Sequence, residues 1–257
     1  MRRTTSLLIV VFYLALAVAG DVHIGACASA VCETMQSNES QKTVIAAEEP
    51  EASYPKDREA RRAKNIRYNK GGNDLTVPRA SDSEIFFEQR WLAVDFIPAA
   101  ESAVVVTGRV VKVQPYLSGD RSRIYTEITV AVDDLLKRDR DSRLSVSNTV
   151  VIDRLGGALK LKTGDVVRDE IHIDNLGKPQ LGKRYVFFAE RVNDGSDLSL
   201  IKSYESINGQ VFTNDSGSGR LISSLPGVPQ AWADEAVFLK AVRQVIASTA
   251  GTGARKQ

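Results

Sequence analysis

The chain has 257 residues, with 34 Lys and Arg against 32 Asp and Glu. The resulting net charge of +2 is too small to indicate a nucleic-acid-binding protein, which usually carries a clear basic excess. Two cysteines and two histidines provide little material for a metal cluster, so we expect neither a metal nor another cofactor.

The first 30 residues have the features of a secretory signal peptide. Arg2 and Arg3 precede an apolar run at residues 7–19, which is too short to span a bilayer comfortably. Small-residue cleavage signals follow at 17–19 and 28–30, so we expect Sec-type export with cleavage between about residues 19 and 30. This predicts a secreted, periplasmic or cell-envelope protein.

Cys27 and Cys32 lie in the region of the alternative cleavage sites. Cleavage near residue 19 would retain both and would allow a small disulfide loop outside the cytosol, whereas cleavage after Ala30 would leave one free thiol. The sequence Ile-Gly-Ala-Cys at 24–27 is also a loose match to a bacterial lipobox, which would make Cys27 a lipid anchor. Membrane contact is expected only through the signal or such an anchor.

Residues 31–83 are predicted to form a mobile charged tether. The first part is acidic, and the second part, KDREARRAKNIRYNK at residues 56–70, is basic. Neither part has enough large apolar residues to offset the entropy lost on ordering. The basic part could form a helix on contact with an anionic surface, so a tether to acidic lipid or a polyanion is one alternative function.

Residues 84–228 are predicted to form a β-barrel domain. Two β-rich segments, at about 103–113 and 124–132, flank a polar loop, and the second alternates apolar and polar residues as a strand with one buried face does. Gly108 interrupts the first segment, which indicates a bend, a bulge or a close backbone approach. Further short strands separated by glycine-containing turns continue to Thr213, as in a barrel or sandwich.

The C-terminal region predicts a helix at 229–248 and a frayed tail at 249–257. Apolar residues from Trp232 to Ile246 recur at helical spacing. The predicted fold is therefore mainly β: an OB-like antiparallel barrel of five to seven strands with a C-terminal α-helix packed on it.

The β-rich region also resembles a known family. The pattern VVVTGRV, PYLSGD and IYTEITVAVDDLLK, then GGALKLKTG and GKRYVFFAE, is similar to that of exported bacterial proteins of unknown function. That family has an OB-like, more distantly netrin/TIMP-like, β-barrel. The resemblance covers about Ala103 to Phe212, under half the chain. It implies a fold and brings no catalytic residues, because its motifs are strands and turns.

No catalytic motif is present in the sequence. His172 is the only histidine outside the signal region, and the chain has no metalloprotease, P-loop or nucleophile-elbow motif. The candidate binding surface is instead the loop after the first strand with its flanks, where tyrosines adjoin charged residues. In OB-type barrels this loop borders the ligand face. The candidate residues are Tyr116, Asp120, Arg121, Arg123, Tyr125 and Glu127.

The predicted function is that of a binding or envelope-associated module without catalytic activity. Its expected partner is an unidentified protein or polysaccharide of the cell envelope, not a nucleic acid. Two alternatives remain open: an extracytoplasmic hydrolase that uses carboxylates or His172, and a lipoprotein or anionic-surface tether.

Overall fold

The computed structural model describes residues 45–48, 54–77, 95–138, 146, 148–169, 177–192, 197–214 and 219–253. These residues all belong to one compact unit, Asn38–Gln257. The predictions for the signal peptide, for Cys27 and Cys32 and for His172 lie outside the described residues.

Nine strands and two α-helices make up the described fold, with two short 3₁₀ turns before the last helix. In chain order the elements are β1 (Ile45–Ala47), α1 (Pro55–Arg67), β2 (Val104–Leu117), β3 (Ile124–Lys137), β4 (Thr149–Leu155), β5 (Gly157–Lys160), β6 (Val166–Asp169), β7 (Arg184–Arg191), β8 (Leu198–Ile207), β9 (Gln210–Thr213) and α2 (Glu235–Gly253).

Five strands form a closed barrel. The main sheet has the order β4-β3-β2-β7-β8-β9, and an additional parallel pairing of β4 with β8 closes its first five strands into a barrel. Strands β2, β3, β4, β7 and β8 are thus barrel strands one to five, and β9 extends the sheet beyond β8. The prediction of a mainly β, OB-like barrel with a C-terminal helix is confirmed.

Apolar side chains at alternate positions of the barrel strands fill the barrel interior. Ile128, Val130 and Val132 of β3 are buried there with aliphatic and aromatic side chains from the other four barrel strands. The intervening residues of β3 face outward, as the period of two predicts.

Gly108 is required by a close approach of β2 to β3. The pairing register of the two strands shifts between Thr107 and Gly108. A Cβ atom at position 108 would lie 2.4 Å from the carbonyl oxygen of Ala131 and 2.6 Å from Cγ1 of Val130. Glycine is therefore the residue that permits this bulge, which confirms the expectation for this position.

The C-terminal helix covers one outer face of the barrel. Phe238 and Val242 of α2 are fully buried against a cluster that includes Val105, Phe188 and Tyr204. Burying such side chains contributes ~1.5–3 kcal/mol each. The helix continues to Gly253, five residues beyond its predicted end. Within the described part of the chain, no helix combines the length and the apolar character needed to cross a membrane.

The N-terminal segment differs from the mobile tether that its composition predicts. β1 pairs in parallel with β5, and β5 pairs antiparallel with β6. Residues 55–67 form α1, which packs on the outside of the barrel. The physical reason is that carboxylates and tyrosines of the barrel face this segment, so that polar contacts order a helix that has few large apolar residues.

Candidate functional site

A patch of tyrosines and carboxylates lies on the outer face of the first three barrel strands. Tyr116 of β2 is paired in register with Tyr125 of β3, and Glu127 of β3 with Asp153 of β4. Tyr125 and Glu127 are two residues apart on one strand, so their side chains share a face. We call these four residues the tyrosine–carboxylate face.

Two carboxylates stand directly opposite each other on this face. Glu127 and Asp153 have side chains only 14% and 1% exposed, and like charges in such a cross-strand pair repel. Lys64 of α1 resolves this conflict, because its Nζ lies 2.7 Å from Oε1 of Glu127 and 2.8 Å from Oδ1 of Asp153. One ammonium group thus bridges the pair and offsets one of its two negative charges.

Arg61 of α1 makes the second set of contacts. Its Nη1 and Nη2 donate to the two carboxylate oxygens of Glu127 at 2.6 and 3.1 Å, which is a bidentate pair. Nη1 also donates to Oη of Tyr125 at 3.0 Å. The guanidinium lies 3.8 Å from the centroid of the Tyr116 ring, a cation–π contact.

Tyr68, the residue after α1, completes the cover. Its ring stacks on Tyr125 with centroids 4.1 Å apart, and its hydroxyl donates to Oδ2 of Asp153 at 2.8 Å. The hydroxyl of Tyr125 donates to Oδ1 of Asn65 at 2.7 Å. Tyr125 is fully buried although it points outward, because this helix covers it.

The contact stripe of the helix is polar. Arg61, Lys64, Asn65 and Tyr68 follow the spacing i, i+3, i+4, i+7, which packed surface helices normally reserve for apolar side chains. Arg62, next to Arg61, is exposed, and none of the residues of α1 is fully buried. The helix is therefore held by charge, hydrogen bonds and ring contacts.

The protonation behaviour of the face follows from burial and these cations. Burial acts to raise the pKa of Glu127, but the hydrogen bonds from Arg61 and Lys64 outweigh it and hold that pKa below its ordinary value. Burial raises the pKa of Asp153, and the hydrogen bonds from Lys64 and Tyr68 offset this only in part. Burial also raises the pKa of Tyr68, whose hydroxyl stays protonated beside Asp153.

The loop between β2 and β3 holds the turn that follows α1. Asp120 accepts hydrogen bonds from the backbone N–H of Gly71 at 2.9 Å and from the hydroxyl of Ser118 at 2.7 Å. The carbonyl of Arg121 accepts from the backbone N–H of Leu75 at 3.0 Å. These contacts fix the loop and the helix end together.

The predicted site residues thus have three different positions. Tyr116, Tyr125 and Glu127 contact the polar stripe of α1, whereas Asp120 and Arg121 contact the turn after it. Arg123 is buried, with 6% of its surface exposed, and is not part of an open surface.

Sequence reasoning missed Asp153 and the contribution of α1. Asp153 directly follows three apolar residues of β4, Val150, Val151 and Ile152, and a carboxylate in such a place was the available signal. The adjacent Asp133 and Asp134 point to opposite sides of the sheet and have separate partners. Asp133 pairs with Arg184 and Asp134 with Arg243, each at 2.8 Å.

The position of α1 corresponds to the ligand side of an OB-like barrel. Ligands of such barrels contact the face of strands two and three and the loops between strands one and two and strands four and five. Here α1 and its following turn contact the β3–β4 face and the β2–β3 loop. Arg67 also pairs with Asp197, which immediately precedes β8. The helix therefore contacts all three parts of that site.

Comparisons with known proteins found no match: no protein-family model matches the chain, and no curated protein matches it. In the described ranges, no three His, Cys, Asp or Glu side chains are close enough together to hold a metal ion.

Proposed function

We propose that the protein is an exported, non-catalytic binding module whose tyrosine–carboxylate face binds a cationic segment of a protein partner. In this proposal α1 is an occupant of the same face from within the chain. The partner's arginine and lysine side chains replace Arg61 and Lys64, so the ligand class is a basic peptide segment.

The observation that carries this proposal is the in-register pair of Glu127 and Asp153. Two adjacent carboxylates on neighbouring strands require a cation wherever the surface is covered, since burying them unneutralised costs several kcal/mol. Tyr116 and Tyr125 add ring faces that attract guanidinium and ammonium groups. The face is thus suited in charge and in shape to basic side chains.

A basic protein segment suits this face better than a polysaccharide does. Tyrosine rings and carboxylates also occur in sugar-binding sites, but a neutral sugar would cover the pair without supplying a countercharge. A nucleic acid would be repelled by the same carboxylates. The charge requirement therefore favours the cationic peptide among the partners expected from the sequence.

The experiment compares full-length variants by titration calorimetry with a tetra-arginine peptide. The Arg61→Ala/Lys64→Ala chain removes the internal cations and should bind the peptide, whereas the Lys56→Ala/Arg62→Ala chain loses the same charge from exposed positions and should bind it at least about tenfold more weakly. Adding Glu127→Gln and Asp153→Asn to the first variant should abolish binding.

Two results would contradict the proposal. One is the absence of tetra-arginine binding to a folded Arg61→Ala/Lys64→Ala chain, with folding checked by circular dichroism. The other is binding that survives neutralisation of both carboxylates. Binding of chitotetraose, a neutral oligosaccharide, in place of the peptide would favour the polysaccharide partner instead.

A further inference from the structure

We infer that the partner of the tyrosine–carboxylate face is an α-helical segment that presents Arg, Lys, Asn and Tyr at positions i, i+3, i+4 and i+7. This inference rests on the proposed function and deepens it, because it names the geometry that the basic segment must have. α1, with Tyr68 after its last turn, shows that pattern on the face.

Each of the four positions has its own partner on the barrel. Arg61 contacts Glu127 and the ring of Tyr116, whereas Lys64 lies between Glu127 and Asp153. Asn65 accepts from the hydroxyl of Tyr125, and Tyr68 stacks on Tyr125 and donates to Asp153. The order of these contacts runs across the sheet from β2 to β4.

The rise of a helix matches the spacing of these strands. Seven residues of α-helix rise about 10.5 Å, which is close to the roughly 9.6 Å that separates the first and third of three neighbouring strands. Seven residues of extended chain would span about 23 Å and would carry the tyrosine past β4. Of these two forms, the helix is the one that brings Arg61 to Tyr116 and Tyr68 to Asp153 at the same time.

The internal helix α1 competes with a free helix for the tyrosine–carboxylate face. A tethered ligand acts at an effective concentration in the millimolar range, so a free helix of equal intrinsic affinity binds the wild-type chain weakly. A variant with a weakened α1 binds the same free helix more tightly. This difference separates competition for one face from attachment at some other surface.

The test uses fluorescence anisotropy with a labelled peptide of the sequence of residues 54–70, YPKDREARRAKNIRYNK. The matched control peptide carries Ala63→Lys and Lys64→Ala, which keeps composition and charge but moves the lysine off the contact stripe. For the full-length Arg61→Ala/Lys64→Ala chain we expect at least about tenfold tighter binding of the native peptide than of the control. The wild-type chain should bind the native peptide at least about tenfold more weakly than this variant does.

A second measurement uses the wild-type chain and does not depend on any variant folding. Excess native peptide should speed hydrogen exchange of the backbone amides of α1, since the free helix displaces it, and should leave those of α2 unchanged. Unchanged exchange of α1 in a chain saturated with the peptide would overturn the inference.

The outcomes separate the two proposals. Equal affinity of the two peptides would overturn the helical pattern, while tetra-arginine binding would keep the proposed function intact. Failure of tetra-arginine and of both peptides to bind the folded variant would overturn the proposed function as well.

Discussion

Replacing Lys64 by methionine tests the electrostatic account of the face. Methionine keeps an unbranched side chain and removes the ammonium group that lies within 2.8 Å of both Glu127 and Asp153. Arg61 still neutralises Glu127, so Asp153, which is 1% exposed, is left with the hydroxyl of Tyr68. Breaking a buried pair in this way typically costs about 3–5 kcal/mol.

Protonation of Asp153 limits this cost and makes it depend on pH. Protonating an aspartate of ordinary pKa costs about 4 kcal/mol at pH 7 and about 1.5 kcal/mol at pH 5. Burial already raises the pKa of Asp153, and the loss of Lys64 raises it further. A carboxyl with a raised folded-state pKa binds more protons when folded, so its penalty grows as pH rises and shrinks as pH falls. We expect Lys64→Met to lower the free energy of unfolding by about 3 kcal/mol at pH 7 and by at most about 1.5 kcal/mol at pH 5.

Urea unfolding at both pH values measures the difference, followed by far-ultraviolet circular dichroism. Lys56→Met is the matched control, because Lys56 lies in the same helix and is exposed. It should change the free energy of unfolding by less than about 0.5 kcal/mol at either pH. An equal loss of stability for Lys64→Met at pH 7 and pH 5 would show that a buried carboxylate is not the cause, and would refute this reasoning.

Three further predictions concern the barrel, the two helices and the N-terminus. Gly108→Val places a Cβ 2.4 Å from the Ala131 oxygen and should cost ~1–3 kcal/mol in denaturant unfolding, whereas an unchanged or higher midpoint would deny the close approach. Raising NaCl from about 50 mM to 1 M should speed hydrogen exchange in α1 more than in α2, because salt screens the ion pairs that hold α1 but not the burial of Phe238 in α2. Equal responses of the two helices would contradict the polar account of α1. Intact mass of the exported protein should place the mature N-terminus between about residues 19 and 30, and retention of Met1 would reject the signal peptide.

The barrel could be predicted because the order of apolar and polar residues along its strands reflects which side chains are buried. The alternation from Ile124 to Val132, the valines of β2 and the interruption at Gly108 are local consequences of a pleated strand with one buried face. The helical period from Trp232 to Ile246 is the equivalent signal for α2. In each case the apolar residues of the pattern are the buried ones, so the pattern predicts the strand or the helix correctly.

The cover of the face could not be predicted from the same signals. Arg61, Lys64 and Tyr68 recur at helical spacing, but periodicity is usually sought in apolar residues, and a polar stripe is typical of a solvated helix. Whether such a stripe docks on the barrel depends on a complementary surface that lies more than 60 residues later in the sequence. The local sequence of the helix does not reveal that surface. The sequence predicts a binding surface that includes these tyrosines and Glu127, but it does not predict that α1 covers them.

The polar contact stripe of α1 has a consequence for aggregation. When a helix such as α2 leaves its place, aliphatic and aromatic side chains including Phe188 and Phe238 become exposed, and surfaces of that kind promote self-association. Departure of α1 uncovers carboxylates and tyrosine rings that carry polar hydroxyls, while the barrel interior stays closed. Departure of α1 would therefore expose a polar surface, which promotes self-association less than the apolar surface under α2 does.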